Sequence, residues 1–189
     1  WFWGNPVRHQ KARLNLIPRY EIVEKALSQI GVTDKGLAQD MENSYEEQRI
    51  DAVRPFPDAI ATLAELRRRK IGLALVTNGA SETQRAKIDR FDLADYFQYI
   101  LIEGELGFGK PDDRIYQHAL DKLGTAPGET WMVGDRLEWE VSAPQRLGMK
   151  GIWLDSARGG LPKDTHVQPD RIIHSISELL YEDPGQSPI

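Results

Sequence analysis

The chain has 189 residues, 40% of them apolar, with 24 Lys and Arg against 29 Asp and Glu, for a net charge of −5. That length holds one domain, or one with a small appendage, and the acidic balance argues against a general nucleic-acid surface, which needs clustered positive charge. No run approaches 18 apolar residues, so no membrane span is expected; there is no cysteine, which excludes disulfides and thiolate chemistry and fits a reducing, cytoplasmic setting.

The chain opens on Trp1-Phe2-Trp3-Gly4. Aromatic residues at a free end would sit in water, so this reads as an internal start with a segment ahead of it. A short helix is expected within Arg8 to Ile17. Ile22, Val23, Ala26, Leu27 and Ile30 recur at helical intervals before Gly31, a plausible helix terminator. A further helix starts near Thr33–Asp34, and its Leu37, Met41 and Tyr45 form an i, i+4, i+8 stripe read as packing on the preceding helix. Residues 8–51 are thus expected to form a small helical unit.

The pattern changes at Arg54-Pro55-Phe56-Pro57-Asp58, a proline-restricted start of a new domain. Asp58 is expected to cap a helix carrying Ile60, Leu63 and Leu66, whose basic end Arg67-Arg68-Arg69-Lys70 suits a helix C-terminus. From there helix and strand alternate. Ile71 to Val76, Tyr99 to Ile102, Trp131 to Val133 and Ile152 to Leu154 are short apolar runs of the kind found in buried parallel strands. Helices are expected over about 82–91, 113–123 and 138–147, the last limited or kinked by Pro144. Arg171 to Ile173 reads as an edge strand, Ser175 as the cap of a final helix, and the tail from Gly185 to Ile189 as flexible. Repeated strand–helix units imply right-handed crossovers, a mostly parallel sheet and an α/β class.

In open parallel sheets ligands gather beyond the carboxyl ends of the strands. Thr77 and Asn78 follow one strand, Asp135 follows another, and Lys110 lies in the connection between them. A threonine hydroxyl can donate to a phosphoryl oxygen, and a lysine offsets phosphate charge. Aspartate is a hard oxygen ligand suited to Mg²⁺, and Glu140, five residues on, is placed to reach the same ion directly or through water. Alone, Thr77-Asn78-Gly79 is an ordinary turn, Lys110 a loop lysine and Gly134-Asp135 a strand-to-helix turn. Their joint occurrence at successive elements is what points to a site. The glycine-rich Gly104 to Gly109 run has neither dinucleotide nor Walker spacing. His9, His118, His166 and His174 are scattered without metal-ligand spacing and read as non-catalytic. Trp139 is either a packing residue, the favoured reading, or a wall of the site.

The segments Leu75-Val76-Thr77-Asn78-Gly79, Gly109-Lys110-Pro111 and Val133-Gly134-Asp135-Arg136-Leu137-Glu138-Trp139-Glu140 resemble, in order, spacing and strand context, the second, third and fourth motifs of the haloacid dehalogenase-like (HAD) hydrolase superfamily. The resemblance covers residues 54–182, and residues 8–51 look like the helical cap of the family's phosphatase and dehalogenase branch. It implies a Rossmannoid core, a three-layer parallel-sheet architecture of 54–182 with a small all-helical cap over 8–51, and two-step hydrolysis through an aspartyl-phosphate assisted by Mg²⁺. On this carry-over Thr77 and Lys110 are catalytic, Thr77, Asn78 and Lys110 bind the phosphoryl group, and Asp135 and Glu140 hold the metal. Two departures touch the metal site: Glu140 stands where the family more often has Asp, and Trp139 where a small polar residue is frequent.

A third departure is larger. The family's first motif, an Asp-x-Asp at the end of an apolar strand, supplies the nucleophile and the general acid/base. It is absent: the earliest acid is Glu21, and Asp34 and Asp40 lie within the expected helical unit. Thr77 cannot substitute, because a hydroxyl nucleophile needs an activating base and none is apparent. The nucleophile is therefore not in this chain, the first core strand is missing from a central place in the sheet, and unpaired backbone groups are expected there. The chain by itself is expected to be inactive.

Three functions stay open on these grounds. The first is a Mg²⁺-dependent phosphatase of a small phosphorylated metabolite, active in a longer parent protein. The second is a metal-independent 2-haloacid dehalogenase, which the paired acids Asp135 and Glu140 disfavour. The third is a degenerate, non-enzymatic interaction protein. No nucleic-acid or membrane partner is expected, and substrate identity and oligomeric state are not legible.

Overall fold

The computed structural model describes residues 6–14, 16–17 and 19–181; the aromatic opening at 1–4 and the tail at 185–189 lie outside the described residues. Three helices come first: α1 (Pro6–Arg13), α2 (Arg19–Gln29) and α3 (Lys35–Ala52). Gly31 follows α2 with φ +80°, as a helix terminator should. The Asp34 carboxylate opens α3 by accepting the Leu37 N–H at 3.0 Å. Helices α2 and α3 pack on each other. Met41 and Tyr45 do not take part as expected: they are 46% and 59% exposed. Their stripe is helical in spacing but left largely open, because periodicity fixes which residues share a face and not what covers it.

Helix α4 (Ala59–Arg68) follows the proline-rich break. Asp58 stands at its N-cap position but does not cap it. Its own backbone is helical (φ −96°, ψ −3°), whereas a capping side chain reaches back from an extended residue. The carboxylate instead receives the Ser175 hydroxyl and, at 3.0 Å, the Ser177 N–H. It thereby ties the start of the α/β region to its last short helical turn, Ile176–Leu180, which carries its own capping box from Ser175 and Glu178.

Between these ends run β1 (Ala74–Thr77), α5 (Ser81–Arg90), β2 (Tyr99–Ile102), the single turn α6 (Glu103–Leu106), α7 (Asp113–Leu123) and β3 (Trp131–Gly134). A π-helical segment (Leu137–Ser142), the short α8 (Ala143–Arg146), β4 (Lys150–Leu154) and β5 (Arg171–Ile173) complete the order. The helix expected over 138–147 is therefore π-helical up to Ser142 and α-helical only over Ala143–Arg146, with Pro144 where the two meet.

All strand pairs are parallel, but they form two sheets. β1 pairs with β2, from Ala74 opposite Tyr99 to Thr77 opposite Ile102. β3 pairs with β4, and β4 with β5. Among the described residues no strand joins β1 to β3. Helix α7 spans both sheets on one face: its Ile115, Tyr116, Ala119 and Leu120 share one apolar cluster with Val76 and Leu101 on one side and Met132, Ala143 and Met149 on the other. On the opposite face Trp131, Val133, Ile152, Leu154 and Ile173 pack with Ile176 and Leu179 of the last turn. The alternation of Met132 with Trp131 and Val133 assigns the two faces, giving helical layers on either side of parallel strands. Every residue of β1 and β3 is only half-buried, whereas β4 is buried from Gly151 onward. Among the described residues β1 and β3 each keep one edge without a strand partner.

Candidate active site

The carboxyl ends of β1 and β3 and the loop after α6 meet around Lys110. Asn78, just past β1, clamps that lysine's main chain from both sides: its side-chain oxygen accepts the Lys110 N–H at 2.8 Å and its amide donates to the Lys110 carbonyl at 2.6 Å. Two bonds to one residue fix position and rotation together. The close approach needs Gly109 beside it, since a β-carbon there would lie 2.6 Å from Asn78 Oδ1 and 2.8 Å from Glu103 Cβ. The Lys110–Pro111 peptide is cis.

From this anchored backbone the Lys110 ammonium reaches Glu140, donating to Oε1 at 2.6 Å. Glu140 is 2% exposed, and its Oε2 receives the Arg136 N–H at 2.9 Å. The carboxylate thus folds back over the end of β3, and Gly134 is what lets it: a β-carbon there would come 2.7 Å from Glu140 Cδ. A buried charge is stable only when paired and hydrogen-bonded, and this one has a cation on one oxygen and a peptide donor on the other. Tyr116 of α7 helps hold the segment by donating its hydroxyl to the Trp139 carbonyl at 2.5 Å. Burial, and then the Glu140 charge, push the Tyr116 phenol well above its usual range, so it stays a donor.

Thr77 ends β1 with its hydroxyl donating to Gln84 Oε1 at 3.2 Å, while Gln84 Nε2 donates to the Asn78 carbonyl at 3.0 Å. Gln84, one turn into α5, therefore orients the whole Thr77–Asn78 turn. Asp135 lies exposed at the end of β3, and its carbonyl receives the Trp153 indole N–H at 2.9 Å. Trp139 does not pack into the apolar core as the favoured reading had it. It is half-buried between two guanidinium groups, with Arg136 4.1 Å and Arg13 5.6 Å from its ring centroid, so it borders the site.

Of the residues singled out from sequence, Asn78, Lys110 and Glu140 are joined by direct bonds, and Thr77 is linked to Asn78 through Gln84. Asp135 stands apart from that network on the same side of the sheet. Glu103, Gln84 and Tyr116 escaped the sequence reading. Glu103 had a faint signal, an acid immediately after an apolar strand; Gln84 and Tyr116 had none, since each looks like an ordinary helix residue. His118 lies edge-on to Phe108 and His174 Nδ1 contacts the Asp155 carbonyl at 2.9 Å, neither in this network. The donors present for a divalent cation, two carboxylates at the end of β3, are of the hard-oxygen kind Mg²⁺ takes, but among the described residues no three acidic or histidine side chains converge as a ligand set. Both Glu140 oxygens are already engaged, by Lys110 and by the Arg136 N–H, so the carboxylate exposed toward such an ion is that of Asp135.

A model of the haloacid dehalogenase-like hydrolase family matches residues 4–148. The chain belongs to the haloacid dehalogenase-like hydrolases. It is 37% identical over 162 residues to a phosphoserine phosphatase of Thermus thermophilus, covering 86% of this chain and 64% of that protein. It is 33% identical over 150 residues to an N-acylneuraminate-9-phosphatase of Rattus norvegicus, covering 79% and 60%. The chain therefore spans roughly three fifths of these curated relatives. Among solved structures, a 2-haloacid dehalogenase from Pseudomonas syringae superposes with a TM-score of 0.61 at 28% identity, covering 93% of this chain and 80% of that one. For this family member no helix among the described residues is long and apolar enough to cross a membrane.

Proposed function

We propose that the whole protein is a cytoplasmic phosphomonoester hydrolase acting on a small phosphorylated metabolite, with residues 8–51 as its cap and 54–182 as its core. The observation that carries this is the Lys110–Glu140 pair, buried at the strand ends and anchored through Asn78 beside Thr77. In this reading the Thr77 hydroxyl leaves Gln84 to donate to a phosphoryl oxygen. Lys110 supplies fixed positive charge where negative charge builds up, at no reorganisation cost because its backbone is already clamped. Asn78 acts chiefly by placing Lys110. Asp135 would ligate Mg²⁺, which when bound offsets phosphoryl charge; Glu140 would join it only by giving up its bond to Lys110 or to the Arg136 N–H. The family's nucleophilic Asp-x-Asp motif is not found in these 189 residues; in this reading its strand would pair with the facing edges of β1 and β3.

The dehalogenase reading has one point in its favour, the 28% identical structure from Pseudomonas syringae. The two carboxylates at the end of β3 weigh against it, since attack on carbon needs no cation. The full-length protein, incubated with a panel of phosphomonoesters and separately with 2-haloacids, separates the two. The expected result is Mg²⁺-dependent phosphate release that falls at least about a hundredfold in Asp135→Asn. Halide release without added metal, or phosphate release indifferent to Asp135→Asn, would overturn the proposal.

A further inference from the structure

Three segments that frame the candidate site converge on one residue from outside the α/β region. Arg13 closes α1. Its Nε and Nη2 donate to the two carboxylate oxygens of Glu103 at 2.8 and 2.6 Å. Glu103, at the end of β2, is 1% exposed, and its Oε2 also receives the Gly79 N–H at 3.0 Å, the first peptide after Asn78. The Arg13 carbonyl accepts the next N–H, that of Ala80, at 3.1 Å. The Arg13 guanidinium also lies 5.6 Å from the ring centroid of Trp139, the neighbour of Glu140. One residue of α1 therefore touches the loop after β1, the loop after β2 and the segment after β3. Gln10, three residues earlier on α1, directs its amide to the same carboxylate at 3.5 Å.

A carboxylate this deeply buried is held by its partners, and a two-pronged guanidinium grip fixes its plane as well as its distance. The orientation of Glu103 is thus set from α1, and with it the acceptor for Gly79. Gly79 has φ +123°, a left-handed conformation with no local preference behind it except the freedom of glycine. The turn that carries Thr77 and Asn78 is then kept in register by the bonds from Glu103 and Arg13.

We infer that Arg13 is a positioning residue which, through the buried Glu103, sets the turn after Thr77 and Asn78 and so couples docking of α1 to the order of the strand-end site. The coupling rests on the geometry alone; only its consequence for turnover depends on the proposed hydrolase.

Residue-resolved amide exchange and ¹H–¹⁵N spectra of this chain, with Arg13 intact or as Arg13→Ala, Arg13→Lys and Glu103→Gln, test it without any substrate. In Arg13→Ala the amides of Gly79 and Ala80 are expected to exchange at least about tenfold faster, while those of β4 stay within about twofold of the parent chain. The Gly79 amide proton, which faces a charged acceptor, is expected to move upfield in Glu103→Gln and to follow in Arg13→Ala. Arg13→Lys restores part of both effects, because the ammonium keeps the charge but not the fork. Unchanged exchange at Gly79 and Ala80 in Arg13→Ala would overturn the inference. So would an equal rise in β4, which marks general loss of stability, or an Arg13→Lys chain no better ordered at Gly79 than Arg13→Ala.

Discussion

At the scale of single residues, the site is built from side chains that spend their bonds on each other. Asn78 is the clearest case. Its sequence context, Thr-Asn-Gly after a strand, marks it for a phosphate pocket, yet both ends of its amide are engaged by the Lys110 main chain. Asn78→Ala leaves two peptide groups to find other partners and is expected to cost about 1–3 kcal/mol in denaturant unfolding. In the full-length protein it should also lower kcat more than it raises KM, since it misplaces Lys110 and removes no substrate contact. A stability change below about 0.5 kcal/mol would show that the clamp carries no weight. The meeting of Asn78, Lys110 and Glu140 was legible because parallel strands bring their carboxyl ends to one side of the sheet. Arg13 and Glu103 were not, because their pairing spans 90 positions and no local pattern encodes it.

At the scale of elements, β2 and α7 have the bounds read from sequence, Tyr99–Ile102 and Asp113–Leu123, since apolar runs and helical spacing there meet no competing constraint. The π-helical segment was hidden: one inserted residue leaves no period to detect. Asp58 was misread for a different reason, since an Asp before a helix satisfies the capping rule whichever donors it binds. The hydroxyl of Ser175, together with the Ser177 donors, holds the Asp58 carboxyl below the usual carboxylate range. A depressed folded-state value means stability that is present above the unfolded value of about 3.9 and is lost as pH falls through the lower folded one. Asp58→Asn is therefore expected to lower Tm at pH 7 by a few degrees, with the gap to the parent chain closing on titration toward pH 3. A gap that stays constant down to acid pH would mean the carboxylate charge is irrelevant to the tie between α4 and the last turn.

At the scale of the molecule, the defining feature is a parallel sheet in two halves, bridged by α7 and with inner edges on β1 and β3. The α/β class and parallel order were legible from alternating runs, and the absent first motif already implied unpaired edges. The role of α7 as the bridge was not legible, because its apolar face reads the same whether it covers one sheet or two. The exposed stripe of α3 at Leu37, Met41 and Tyr45 shows the same limit at larger scale. Across these levels the strand ends place the polar residues and a clamped lysine sets positive charge between them, and the proposed phosphatase rests on that arrangement. Its most direct test is Mg²⁺-dependent phosphate release by the full-length protein from its best phosphomonoester, compared with Lys110→Met. The account expects kcat/KM to fall by about 10²–10³ or more, as for loss of a preorganised electrostatic group. A Lys110→Met enzyme within about threefold of the parent would contradict it, because the buried Lys110–Glu140 pair would then be architecture and the phosphoryl site would lie elsewhere.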